Sequence, residues 1–267
     1  MSVKFGIMQG RLTKTNPKIL QKFPSNWLKE FDYIKKTKLD YIEFFTETEV
    51  NKKNPIWSRD GIKKIQKKIS QMNYKKVIVC DNFTTSNSFV KYESEKYLKF
   101  LIDQLSYFKN SKIIIPIVSK KLNINNVFNK HILVVSKLLD YSRKKNVKLS
   151  FEIDSSLSIC KNFCNIFSNN KDFGITFDTG NAHLHNKNFY KEFKILKKFI
   201  NHIHLKDRDF NGKNVILGSG EVKFKLFLKS LNKPKKYNGT MTFETNRGKD
   251  PIKTAKLNYQ IIKNFLT

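Results

Sequence analysis

The sequence predicts an α/β fold, a single (β/α)8 barrel closed by a parallel eight-stranded sheet, and three observations lead to it. Short apolar runs recur along the chain with helix-periodic segments between them, and that alternation is how a parallel sheet is written into a sequence. The length of 267 residues suits one such barrel, which typically takes about 250. Four side chains able to ligate a metal, Glu152, Asp178, His204 and Glu244, each stand at the end of a different apolar run. That is the end at which a barrel gathers its functional groups.

The strands are expected at 3–8, 41–45, 76–81, 112–118, 148–154, 174–178, 202–206 and 240–244. After the first, Trp27, Phe31 and Ile34 form a helical stripe. Ile62, Ile65, Ile69 and Met72 form the next, and Leu98, Leu101, Ile102, Leu105 and Phe108 a third. Val135, Leu138 and Leu139 mark a fourth helix, and Ala255, Tyr259, Ile262 and Leu266 the last. Asp250 before Pro251 opens that last helix, an N-cap followed by proline at the first helical position. The helical pattern is weakest after Asp154 and after Asp178. Residues 82–90 form a polar stretch that reads either as a lid or as a solvated connection. No linker interrupts the pattern, so one domain spanning 1–267 is expected.

Side chains alternate between the two faces of a strand. Glu152 therefore shares a face with Ser150 and Asp154, Asp178 with Thr176, His204 with His202 and Lys206, and Glu244 with Thr240 and Thr242. Further polar candidates for substrate binding follow the strands: Gln9, Arg11, Glu43, Asp81, Asn181, His183, Lys206, Arg208 and Arg247. Each has a plainer reading beside the functional one. Glu43 suits a buried ion pair, Arg11 a loop, and Arg247 the loop ahead of the final helix. His202 is read as a core histidine one layer below the mouth. The quartet resists such a reading, because three carboxylates and an imidazole converging on one point repel unless a cation or shared protons hold them.

Composition narrows the partners. The net charge of +30 invites a nucleic-acid reading, since lysines and arginines drive non-specific phosphate binding. However, lysine doublets are scattered from 35–36 to 235–236 instead of gathering on one element, so no specific nucleic acid is expected, although anionic substrates would be steered by the field. Three cysteines, Cys80, Cys160 and Cys164, cannot form an even disulfide set and read as buried thiols. No apolar run approaches the roughly 18 residues of a membrane span. The first strand begins almost at once, without a charged segment and apolar stretch ahead of it, and a soluble cytoplasmic protein is expected.

The motifs GIMQGRL, FEID, FDTGNAH, HIHLKDRD with LGSGEVKF, and FETNRGKDP, each at an expected strand end, together resemble the xylose isomerase-like TIM-barrel superfamily, in particular its sugar-phosphate isomerase/epimerase group. The resemblance covers essentially the whole chain. It implies one divalent ion held by Glu152, Asp178, His204 (the second histidine of His-x-His) and Glu244. Three oxygens and one nitrogen suit Mn²⁺ or Mg²⁺, with Co²⁺ or Zn²⁺ also compatible. The activity implied is isomerisation or epimerisation of a small-molecule sugar or sugar phosphate, by proton abstraction beside a carbonyl through a metal-stabilised enediolate, with Glu152 and Glu244 as the acid/base pair. Arg208 and Arg247 are candidates for a phosphate or carboxylate, and Lys206, Asn181 and His183 for hydroxyls. Other readings of the same barrel remain: a mononuclear-metal dehydratase, an AP endonuclease-like repair enzyme, or a non-catalytic sugar-binding barrel. The repair reading requires a trinuclear cluster with more histidines. This chain has Asn181 where that cluster needs a histidine, no histidine before His131 and no Asp-x-His. Two opposed carboxylates would be of no use to a pure binder.

Overall fold

The computed structural model describes residues 3–14, 21–72, 74–118, 121–186, 188–231 and 237–266. Lys120 and the 235–236 lysine doublet lie outside them. Eight parallel strands close into a barrel in the order β1-β10-β7-β6-β5-β4-β3-β2, labelled with the ranges given below. The chain falls into two compact units, residues 1–43 with 176–267, and residues 44–175.

The first unit opens with β1 (Lys4–Met8), α1 (Trp27–Ile34) and the start of β2 (Tyr41–Phe45). It resumes at the end of β6 (Ile175–Asp178) with α7 (Thr179–His185), α8 (Phe189–Leu196), β7 (Ile200–Leu205), the small strands β8 (Asp207–Arg208) and β9 (Asn214–Val215), α9 (Phe224–Leu231), β10 (Thr240–Phe243) and α10 (Pro251–Leu266). The second unit holds α2 (Arg59–Ser70), β3 (Ile78–Cys80), α3 (Phe83–Ser86), α4 (Tyr92–Leu105), β4 (Lys112–Val118), α5 (Asn125–Lys144), β5 (Lys148–Asp154) and α6 (Leu157–Ile166).

Local chemistry explains the boundaries. The Ser58 side chain accepts from the Gly61 amide to start α2, whose Ile62, Ile65 and Ile69 are buried. Lys67 and Lys68 in its last turn oppose the negative end of the helix dipole. Asp250 caps α10 as expected, its Oδ1 accepting from the Lys253 amide at 3.0 Å. Met72 and Phe108 were expected within helical stripes but fall beyond α2 and α4. Ahead of β4, Ser111 donates to the Leu105 carbonyl at 2.9 Å and Asn110 takes a left-handed φ of 58°. Asn146 does the same after α5, with φ of 56°. Asparagine tolerates that conformation better than other side chains do, so it ends helices as glycine does.

The strand expected at 202–206 is shifted, running from Ile200 to Leu205. The Lys206 amide leaves the ladder to donate to Thr179 Oγ1 at 2.9 Å, which ends the strand. The strand expected at 240–244 stops at Phe243, although the Glu244 amide still donates to the Leu205 carbonyl at 3.1 Å. The strands expected to start at residues 3 and 174 each begin one residue later, and 76–81 contracts to Ile78–Cys80. Residues 82–90 carry the short α3, and Phe89 is buried beneath them. The β8–β9 hairpin was not expected, though its Asn211–Gly212 pair is a turn dipeptide and Gly212 takes a positive φ of 76°. All three cysteines are buried thiols. Among the described residues no helix is long and apolar enough to cross a membrane.

One close approach ties β1, β2 and β10 together. Tyr41 is buried with its ring over Gly6, where an added Cβ would lie 2.2 Å from a ring carbon. Its hydroxyl lies 3.0 Å from the Met241 carbonyl and 2.9 Å from Thr242 Oγ1. Gly6→Ala is expected to lower stability by about 1–3 kcal/mol through overpacking, read as a drop in the urea midpoint at unchanged slope.

Candidate functional site

In the first unit the alternation of β7 and β10 turns His202, His204, Thr240 and Thr242 to one face. The strands pair Thr240 with His202 and Thr242 with His204, while Met8 pairs with Glu43. The result is a layered chain of polar contacts. At the bottom, His202 Nδ1 lies 2.6 Å from Thr240 Oγ1, and its Nε2 is 2.9 Å from Glu43 Oε2. Glu43 accepts from Thr242 Oγ1 on the same oxygen and reaches His204 Nε2 with the other at 2.8 Å. His204 Nδ1 then faces Glu244 Oε2 at 3.3 Å.

At the upper end three carboxylate and imidazole ligand atoms converge: atoms of Asp178, His204 and Glu244 all lie within 4.8 Å of one another. An ion bound at about 2.1 Å from each would set its ligands no more than ~4.2 Å apart, so small side-chain movements would close the set on a cation. Glu43, behind His204, supplies what a metal-binding histidine usually has, a carboxylate on the far ring nitrogen that fixes the tautomer and ring orientation. With Nε2–H donated to Glu43, Nδ1 carries the lone pair that faces Glu244. The donors fit a divalent ion.

Lys206 lies among these acids. Its ammonium is 2.8 Å from Asp178 Oδ2 and 3.1 Å from Glu244 Oε1, and the residue is 6% exposed. Asp178 also caps α7, its Oδ1 accepting from the Asn181 amide at 2.8 Å. Burial pushes the Asp178 carboxyl up, but Lys206, His204 and these hydrogen bonds outweigh it and hold it below the usual range. Glu43 behaves likewise: burial opposes ionisation, yet His204 and His202 hold its pKa well below that of a free carboxylate. Gln21, near the end of the β1–α1 segment, donates to Glu244 Oε1 at 3.0 Å.

The remaining candidates are distributed as follows. Gln9 and Arg11 are each 1% exposed and follow β1. Arg247 Nε donates to the Gly10 carbonyl at 2.6 Å. Both arginines act on Glu30, a carboxylate of α1 that accepts from the Gly10 amide at 2.8 Å and the Leu12 amide at 3.3 Å. Burial raises Glu30 to about 7 against the pull of those amides and arginines, and burial lowers Arg11 to about 10. Arg208 is engaged by structure, donating to Asn181 Oδ1 at 2.8 Å and to the Gly212 carbonyl at 2.7 Å. His183 is buried on α7, edge-on to Phe189. In the second unit Asp81 is fully buried and accepts from Thr46, Thr84 and the amides of Phe83 and Thr84, capping α3. Glu152 is half-buried on β5 opposite Pro116 of β4.

Sequence reading did not single out Glu30, Gln21 or the structural role of Asp207. Glu30 was the most legible of them, because its three- and four-residue spacing from Trp27 and Ile34 places a carboxylate on the apolar stripe of α1. Asp207 Oδ2 accepts from the amides of Gly218 and Gly220 at 2.8 and 3.0 Å, and Oδ1 from Val222 at 3.1 Å, which pins the loop after β9.

The model of the xylose isomerase-like TIM-barrel family matches residues 31–265, and the chain belongs to that family. Solved structures agree in fold. D-psicose 3-epimerase from Clostridium cellulolyticum H10, determined with D-tagatose, superposes with a TM-score of 0.75 at 12% identity over 99% of each chain. The apo 3-keto-D-glucoside 4-epimerase from E. coli gives 0.72 at 15% identity, covering 98% of this chain and 100% of its own. The IOLI protein, determined with a zinc atom, gives 0.73 at 16% identity, covering 98% of this chain and 96% of its own. No curated protein matches the sequence.

Two stability measurements check the electrostatics. Glu43→Gln is expected to cost about 3 kcal/mol, because it leaves two buried histidines facing a neutral amide. A depressed carboxylate stabilises above its unfolded pKa, so the difference from the parent should be full above about pH 5 and shrink in acid. Glu30 has the opposite sign, since a carboxyl raised to about 7 binds its proton more tightly when folded. From pH 5 to pH 8 the parent should therefore lose roughly 2–3 kcal/mol relative to Glu30→Gln in chemical denaturation.

Proposed function

We propose that residues 1–267 act as one domain, a divalent-metal-dependent isomerase or epimerase of a small sugar or sugar phosphate. The observation that carries this reading is the convergence of Asp178, His204 and Glu244, with Glu43 braced behind the histidine. Glu152, at the corresponding place on β5, is the fourth ligand in this reading. The epimerase identity of the structural neighbours supports the reaction class, and the zinc of the IOLI protein supports a metal in a barrel of this kind.

The proton to be moved sits on a carbon beside a carbonyl and is too weakly acidic to leave unaided. A divalent ion, when bound, supplies the positive charge that lowers the barrier to carbanion formation. This chain's own groups do the rest. In our reading Glu152 and Glu244 are the acid/base pair, one removing the proton and the other returning one, and the stereochemistry of the substrate decides which acts first. Before an ion arrives, Glu244 is held in place by Gln21 and Lys206. His204 is oriented by Glu43 and Asp178 by the α7 N-terminus, so the site is set before substrate arrives. The net charge of +30 would speed the arrival of an anionic sugar phosphate.

Glu152→Gln and Glu244→Gln should each reduce exchange of a carbon-bound substrate hydrogen with D₂O by at least a hundredfold, in a ketose screen followed by NMR with Mn²⁺ or Mg²⁺ added. Undiminished exchange in both variants overturns the proposal. Loss of water from the exchanging substrate would move the chemistry to a dehydratase, and efficient cleavage of an abasic duplex would move it to DNA repair.

A further inference from the structure

Lys206 is built into the site more firmly than a surface-tethered side chain would be. Thr179 Oγ1 accepts from its amide at 2.9 Å and donates to its carbonyl at 2.7 Å, fixing the backbone on both sides of the residue. Its aliphatic stem lies against Gly180, where an added Cβ would stand 2.9 Å from Cγ, 3.0 Å from Cδ and 3.1 Å from Cβ. The glycine keeps a channel open through which the ammonium reaches both Asp178 Oδ2 and Glu244 Oε1. Those two carboxylates carry the negative charge on which a divalent ion at this site would depend.

We propose that Lys206 is an intramolecular counter-cation that competes with the metal, holding the two ligand carboxylates together in the metal-free protein and yielding them when the ion binds. The inference rests on the metal-site reading above. Two carboxylates within a few ångströms in a buried setting repel, and an ammonium contacting both removes that repulsion without help from solvent. The same contacts must weaken when a divalent ion takes the oxygens, because two cations sharing one pair of carboxylates repel each other. The metal-free site is then preorganised at a cost in metal affinity. The displaced ammonium remains tethered at its backbone, within a side chain's length of the ligands, where it can meet a substrate oxygen.

Two variants separate this from a purely structural role. Lys206→Met keeps the stem and removes the charge; Gly180→Ala keeps the charge and crowds the stem, and alanine favours the helix. Binding of Mn²⁺ is measured by isothermal titration calorimetry on the EDTA-stripped protein, alongside its thermal midpoint with and without the ion. Both variants should bind Mn²⁺ more tightly than the parent, Lys206→Met by at least tenfold and Gly180→Ala by less. Both should melt lower than the parent when stripped and regain the difference on metal addition. Unchanged or weaker Mn²⁺ binding in a Lys206→Met protein that melts cooperatively overturns the counter-cation role while leaving the metal site standing. If Lys206→Met does not fold, unchanged binding in Gly180→Ala overturns it. Failure of the parent and both variants to bind Mn²⁺, Mg²⁺, Co²⁺ or Zn²⁺ overturns the metal site and this inference together.

Discussion

The contact on which the site depends is between Glu43 and His204. A buried carboxylate is costly unless its oxygens are paired, and Glu43 meets that demand with two imidazoles and a threonine hydroxyl. In doing so it fixes which nitrogen of His204 points upward and at what angle. Everything above that nitrogen follows: the approach of Glu244, the bridge made by Lys206 and the position of Asp178 as both helix cap and acid. Tyr41, two residues before Glu43 on the same strand face, braces the arrangement from below by lying across Gly6 and reaching Thr242. The interior here is therefore a stack of ion pairs and hydrogen bonds, which restricts side-chain freedom more than an apolar filling of equal volume would.

This stack also decides how charge is handled. The chain carries +30 overall, yet the carboxylates of the site are not neutralised by the many exposed lysines, whose charge water and salt screen. They are paired with groups fixed on strands and loop ends, two imidazoles and one lysine. A positive field at long range and a dense set of acids at short range do different work. The first favours the approach of anions, and the second is the donor set a cation would need. Arg11 and Arg247 occupy a third environment, buried with Glu30, where desolvation weakens the preference of each for its charged form.

Much of this was legible in the sequence because strands advertise themselves in two ways at once. Apolar alternation located all eight barrel strands, three of them with the boundaries found, and the ligand-type residues at their ends include Asp178, His204 and Glu244, which the structure brings together. The sequence was least informative where a boundary is set by a contact distant along the chain. That β7 stops at Leu205 depends on the Thr179 hydroxyl taking the next amide, and no local pattern around residue 206 reports this. The roles of Glu43 and Lys206 were also ambiguous for a physical reason. A carboxylate or ammonium near a strand end reads the same whether it faces a ligand or another side chain, and only the partner's position separates the two.

Gly180 shows how function can be written in a residue with no chemistry of its own. In the sequence Asp-Thr-Gly-Asn the aspartate attracts notice as a ligand and the rest passes as a helix start. The structure divides the labour: Asp178 supplies an oxygen and a cap, Thr179 clamps the lysine backbone, Gly180 clears a path for its stem, and Asn181 returns an amide to Asp178. Four consecutive residues therefore position one acid and one base that are distant in sequence. On the proposed metal-site reading, a substitution at either middle position would leave every ligand in place and still alter the charge they present, so the affinity of such a site would be set by more than its ligands.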